Sequence, residues 1–153
     1  MQSLEPNQLK LMRIHALIRA AILVAIALGG EAIIADNSAL PFGLVFGPLL
    51  PVLVWVTIIA PGRRYRAWSY SFDADELQLA RGIMTRTHSI VPIERVQHID
   101  VAQGPIERSL GLSRLIVHTA GTAHSRVVLP GLSEARAHEM RDEIRARIVR
   151  DAE

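Results

Sequence analysis

The hydrophobic pattern divides the chain into three regimes. From Ala39 to Ala60 there are 22 consecutive residues without a charge. At about 1.5 Å per residue, a helix of that length crosses a hydrocarbon core of roughly 30 Å. Pro48 and Pro51 are expected to kink it, which a membrane segment tolerates where neighbours satisfy the freed carbonyls. An earlier charge-free stretch, Ala20–Gly30, covers only 11 residues. Extended to Leu17–Ala35, it admits Arg19 near one end and Glu31 near the other, each able to reach an interface. Two spans are therefore predicted. A cleaved signal peptide is the competing reading of the first segment, but no small-x-small site follows Gly30, and Glu31 is awkward there.

After Arg63-Arg64-Tyr65-Arg66 the period changes to two. Trp68, Tyr70 and Phe72 alternate with Ser69 and Ser71, as in a half-buried strand. Asp73-Ala74-Asp75-Glu76 is turn-like, Leu77 and Leu79 open a second strand, and Gly82 marks another reversal before Ile83–Ile90. Pro92 predicts a bulge or an edge at the start of a strand over Ile93–Val101. Gly104-Pro105 ends that strand, and Ile106–Leu110 is a short helical turn closed by Gly111. Leu115, Val117 and Thr119 alternate before a turn at Gly121, and Val127–Leu129 forms a last strand before Pro130-Gly131. The period then becomes helical. Ser133 is the predicted N-cap, and Ala137, Met140, Ile144 and Ile148 line one face. Arg141, Arg145, Arg147 and Arg150 cluster toward the end the helix dipole favours.

The predicted organisation is a cytoplasmic N-terminal segment 1–16, a two-helix transmembrane hairpin 17–62, a basic juxtamembrane linker 63–67 and a small α+β domain 68–153 with its C-terminal helix at 133–152. Lys10 and Arg13 precede the first span and the arginines at 63, 64 and 66 follow the second, while the loop between holds only Glu31 and Asp36. Positive charge stays inside, so both termini are expected on the cytoplasmic face of the membrane.

Composition removes several functions. The chain has no cysteine, which excludes disulfides, thiolate nucleophiles and thiolate metal sites. Sixteen arginines against one lysine, with 15 carboxylates, leave a charge near neutral that fits a GC-rich genome better than nucleic-acid binding. There is no Gly-x-Ser-x-Gly, Walker or Gly-x-Gly-x-x-Gly pattern, so no catalytic residue or cofactor is expected. His98-x-Asp100, with His118 and His124 on a neighbouring hairpin, is the strongest metal candidate, but it lacks a compact three-ligand pattern and no metal site is expected.

The run Val91-Pro92-Ile93-Glu94-Arg95-Val96-Gln97-His98-Ile99-Asp100, continuing through Gln103–Leu112 to Thr119-Ala120-Gly121, resembles the signature of the bacterial membrane-anchored pleckstrin-homology-like proteins of the YdbS type. The resemblance covers the chain from about Trp68 to its end, and the two apolar segments suit the same family. It implies an antiparallel pleckstrin-homology-like β-barrel or sandwich of six or seven short strands, capped by the C-terminal helix. It further implies a non-enzymatic scaffold or accessory role beside a larger membrane protein of the same family, with links to envelope stress; pairing with a copy of itself is expected from the exposed edge strands of a small barrel.

Partner or lipid contact is expected of Arg95 and Gln97, which would share a strand face with Ile93 and Ile99 if the strand is regular, and of Arg108 in the 105–111 turn. The competing view makes Arg95 and Gln97 structural, bonded to nearby backbone. Arg63, Arg64, Arg66 and Trp68 are expected against an anionic lipid surface, at roughly 1 kcal/mol per arginine. The alternative function is lipid binding or transfer at the inner membrane face. The first hairpin loop argues against a phosphoinositide pocket there, since Asp73, Asp75 and Glu76 would repel an anionic headgroup.

Overall fold

The computed structural model describes residues 1–37, 43, 46–73, 75–120 and 126–150. Two compact units emerge, one formed by Met1–Leu11 with Arg64–Glu153 and the other by Met12–Arg63.

The apolar unit is helical. α1 spans Pro6–Asn37, and its stretch Pro6–Ile34 is long and apolar enough to cross a membrane by length and composition. Ile22, Ile26 and Ile33 are more than half exposed, as expected of side chains whose natural solvent is lipid. The second apolar segment is helical from Phe46 to Arg66 in three pieces: α2 (Phe46–Val54), a π-helical turn (Trp55–Ile59) and α3 (Ala60–Arg66). Pro51 lies inside α2. The irregularity comes later, where the Ala60 N–H reaches Trp55 O five residues back. Its neighbour Pro61 has no N–H to give the carbonyl of Thr57, so the regular ladder cannot continue there. The Thr57 hydroxyl donates to Leu53 O at 2.7 Å. Residues 39–42, at the start of the expected second span, lie outside the described residues.

The other unit is an α+β domain built from two antiparallel three-stranded sheets and a C-terminal helix. β1 (Ser69–Phe72), β2 (Glu76–Arg81) and β3 (Thr87–Pro92) form the first sheet in that order; β4 (Val96–Ala102), β5 (Leu112–Thr119) and β6 (Arg126–Ser133) form the second. A short helix α4 (Pro105–Ser109) lies between β4 and β5; the expected turn residue Gly121 and His124 are outside the described residues. α5 (Glu134–Arg150) follows, capped as expected by the Ser133 hydroxyl, which accepts the Arg136 N–H at 3.3 Å. On α5, the Arg136 guanidinium bonds to Glu139 at 2.7 Å, a contact that holds its pKa above the usual arginine value. Ala137, Met140 and Ile144 of α5 are buried against Leu115, Val117 and Leu129 in one core that also includes Tyr70, Leu77 and Leu79.

Three details differ from the sequence expectation. First, Ile93–Arg95 is a single 3-10 turn rather than strand. Pro92 is extended, the Ile93 N–H is taken by Asp75 O at 3.0 Å, and pairing resumes only at Val96, with a further register shift between Val96 and His98. Arg95 and Gln97 therefore do not share a regular strand face with Ile93 and Ile99. Second, β6 does not stop at Leu129 but runs through Pro130-Gly131 to Ser133. Arg114 of β5 faces the two residues Pro130 and Gly131, a bulge in which Gly131 takes φ 69°. The missing proline N–H is tolerated because β6 is an edge strand.

Third, the first residues of the chain belong to the core. Leu4 is 1% exposed and lies among the core residues of this domain. Gln2 bridges to Tyr70, Glu5 N donates to Gly131 O at 2.9 Å, and Leu4 O accepts the Tyr65 hydroxyl at 2.7 Å. Asn7 Nδ2 adds a bond to Leu110 O at 3.0 Å.

Candidate functional site

Two surfaces of the α+β domain carry the polar residues singled out above. The first is the β4–β5 face with the turn that leads into it. Arg95 and Gln97 are both exposed, and among the described residues neither side chain has a hydrogen-bond partner. The Arg95 main chain accepts Ala120 N–H at 2.9 Å, so the backbone is anchored while the guanidinium is not. Beside them His98 and His118 pair across the strands with ring centroids 5.9 Å apart. Both imidazoles approach one carboxylate, His98 Nε2 at 2.8 Å from Asp100 Oδ1 and His118 Nε2 at 3.6 Å from Asp100 Oδ2. His98 and Asp100 are about half or more exposed, so the contact is solvated and of modest strength. Among the described residues no group of three or more His, Asp or Glu side chains is arranged to hold a metal ion.

The turn at 103–111 is organised by a residue the sequence reading passed over. Pro105 opens α4 at a position where its missing N–H costs nothing. Glu107, 9% exposed, folds back to accept the Gly104 N–H at 2.6 Å and stands 3.5 Å from Arg114 of β5. This is the glutamate half of a capping box. Gly111 ends the helix at φ 65°. Arg108, by contrast, is exposed, and its Nε reaches only Gln103 Oε1 at 3.4 Å. The Gln103 amide in turn donates to Leu112 O at 2.8 Å. The signal for Glu107 was present in the Gly-Pro-x-Glu spacing.

The second surface is basic and aromatic. Arg64 and Arg66 are exposed, and Trp68 is half-buried. The Arg81 guanidinium lies over the Trp68 ring at 5.8 Å, a pairing that no sequence pattern announces because Trp68 precedes β1 and Arg81 ends β2. In the apolar unit, exposed Arg63 stands 5.9 Å from the centroid of Trp55, one helical stretch away. Also in that unit, Glu31 of α1 is 3% exposed and accepts the Gly43 N–H, with its Oε2 without a partner among the described residues.

Comparison with known proteins agrees with this architecture. The model of the Bacterial PH domain family matches residues 14–148. The chain belongs to that family. It is also 33% identical over 145 residues to the transmembrane protein YdbS of Bacillus subtilis (strain 168), a match covering 92% of this chain and 88% of that protein. No solved structure matches. The family's domain here is a membrane protein's domain: its relative is a transmembrane protein, and its own α1 has the length and apolarity of a membrane helix. Family membership accounts for the two sheets and the closing helix. It does not assign a role to Arg95, Gln97 or Arg108.

Proposed function

We propose that this is a non-enzymatic, membrane-anchored interaction module, held by a two-span hairpin with both termini cytoplasmic and presenting its bacterial PH domain at the inner face of the cell membrane. Basic residues on the outer flanks of the apolar segments, Lys10 and Arg13 before them and the arginines at 63, 64 and 66 after them, support that orientation. The observation that carries the interaction reading is the Glu94–His98 surface. Arg95, in the 3-10 turn that leads into the edge strand β4, and Gln97, at the bulge of that strand, have exposed side chains without a hydrogen-bond partner among the described residues. An edge strand with unpaired polar side chains is a place for a protein partner to add contacts. A copy of the same chain, or a larger membrane protein of the family, is the partner this reading favours, within the response to envelope stress.

Purification of the tagged full-length protein in mild detergent, with mass spectrometry of protein and lipid together, tests it. A stoichiometric companion or a defined homo-oligomer, lost in the Arg95→Ala, Gln97→Ala double variant, is the expected result. A monomer that retains one lipid class would instead make lipid binding or transfer the function. The Arg81–Trp68 pair is the feature that supports this second reading.

A further inference from the structure

We propose that the β2–β3 turn is a second membrane-contact element, an apolar tip between two arginines that enters the headgroup layer of an anionic bilayer. This rests on the anchored reading above and adds the residues by which the domain itself meets lipid.

The turn exposes apolar surface that nothing in its own unit covers. Met84 is 99% exposed and Ile83 40%, and Ile90 on the outer face of β3 is 59% exposed. Its shape is set by Gly82, whose φ is 108° and where an added Cβ would stand 1.9 Å from Thr85 O. Only glycine lets the chain close this tightly, and the closure leaves Ile83 and Met84 at the apex.

Charge gives the tip a direction. Arg81 and Arg86 flank it, both exposed, and among the described residues neither has a carboxylate partner. No Asp or Glu occurs between Glu76 and Glu94. Strand register places the tip at one end of the first sheet, because Ser69 pairs with Ala80 and Ala80 with His88. That end is where Trp68 stands, under the guanidinium of Arg81 and two residues after Arg66 in the chain. The opposite end carries Asp73, Asp75 and Glu76, with Arg147 bonded to the Asp73 carbonyl. An anionic surface therefore attracts one end of the sheet and repels the acidic hairpin at the other.

The same features disfavour a protein occupant. Two side chains at a turn offer far less than the roughly 800 Å² per partner of a stable protein interface. A bilayer needs no shape complement, takes each apolar group separately, and is kept at high effective concentration by an anchor on the same chain.

The chain has no cysteine, so a single Met84→Cys can be labelled uniquely with an environment-sensitive fluorophore in the full-length protein. The labelled protein goes into vesicles of phosphatidylglycerol with phosphatidylethanolamine, or of phosphatidylcholine alone. Ile58→Cys reports the anchor and Ser109→Cys an exposed site on α4. In the anionic vesicles the label at 84 should shift to the blue and be quenched by lipid-borne nitroxide. The lipid-contact equilibrium should weaken in phosphatidylcholine, and by about fivefold for each of Arg81→Gln and Arg86→Gln. A label at 84 that stays in water while that at 58 is in lipid would overturn the proposal and leave the anchor standing. Labels in water at both positions would remove the anchored reading and this proposal with it. Shielding at 84 without lipid quenching, rising with protein density, would overturn it in favour of contact between copies.

Discussion

Truncating Leu4 to alanine tests whether the first residues are part of the folded domain. Leu4 is 1% exposed and packs in the same core as Tyr70, Leu77 and Met140, sixty or more residues away in sequence. Removing three carbon atoms from a fully buried leucine loses their transfer free energy and leaves a cavity, about 3 kcal/mol together within a usual range of 2–5. The backbone contacts around it, the Tyr65 hydroxyl on Leu4 O and the Glu5 N–H on Gly131 O, are kept by the substitution. The measured loss is therefore that of packing. In a unit of about 100 residues, each kcal/mol moves the midpoint by roughly 4–8 °C, so Leu4→Ala should lower it by about 12–24 °C. Thermal unfolding of the detergent-solubilised full chain, followed by far-ultraviolet circular dichroism and tyrosine fluorescence together, is the assay. Ile90→Ala, at an exposed position of the same domain, serves as the control and should stay within about 0.5 kcal/mol. A shift for Leu4→Ala no larger than that of Ile90→Ala would refute the argument and detach the N-terminal residues from the core.

Other substitutions follow from single contacts. Gly82→Ala places a Cβ against the Thr85 carbonyl in a backbone conformation costing an L-residue about 1–2 kcal/mol, so the β2–β3 turn must open; proteolysis at 82–86 should quicken. Gly131→Ala meets Gln8 Cγ at 2.8 Å at φ 69° and should destabilise by at least a similar amount in urea unfolding, partly relieved by Gln8→Ala. Glu107→Ala strands the Gly104 N–H and removes the carboxylate beside Arg114, a loss of about 2–3 kcal/mol by the same assay; Glu107→Gln, which keeps an acceptor, should cost less than half of that. A topology reporter fused after Asp36 should be active on the outer side of the membrane, and a cytoplasmic signal there would refute the two-span hairpin.

Much of this protein was legible as pattern. Alternation at Trp68–Phe72 and at Leu115–Thr119, and helical spacing at Ala137, Met140 and Ile144, placed strands and helix because burial on one face imposes those periods directly. The 103–111 turn was equally local, written in Gly-Pro and a closing glycine. The strand through Arg95 was misread because Pro92 and the Asp75 carbonyl together fold Ile93–Arg95 into a turn, and Asp75 is 18 residues away. Likewise the end of β6 depended on a bulge against Arg114, which repositions Pro130-Gly131 within a strand they would otherwise terminate.

The candidate surfaces divide the same way. The arginines at 63, 64 and 66 announce themselves by sequence position, as does the lack of any familiar catalytic motif. That Trp68 is met by Arg81, that His98 and His118 share Asp100, and that Ile83 and Met84 stand bare at the Trp68 end of a sheet are consequences of strand register. By itself the sequence determined the apolar segments, the order of strands and the closing helix, because each is set by neighbours within a few turns or strand residues. The tertiary structure alone decided that Leu4 completes the core and which side chains meet, because those contacts join residues whose separation in the chain carries no periodic signal.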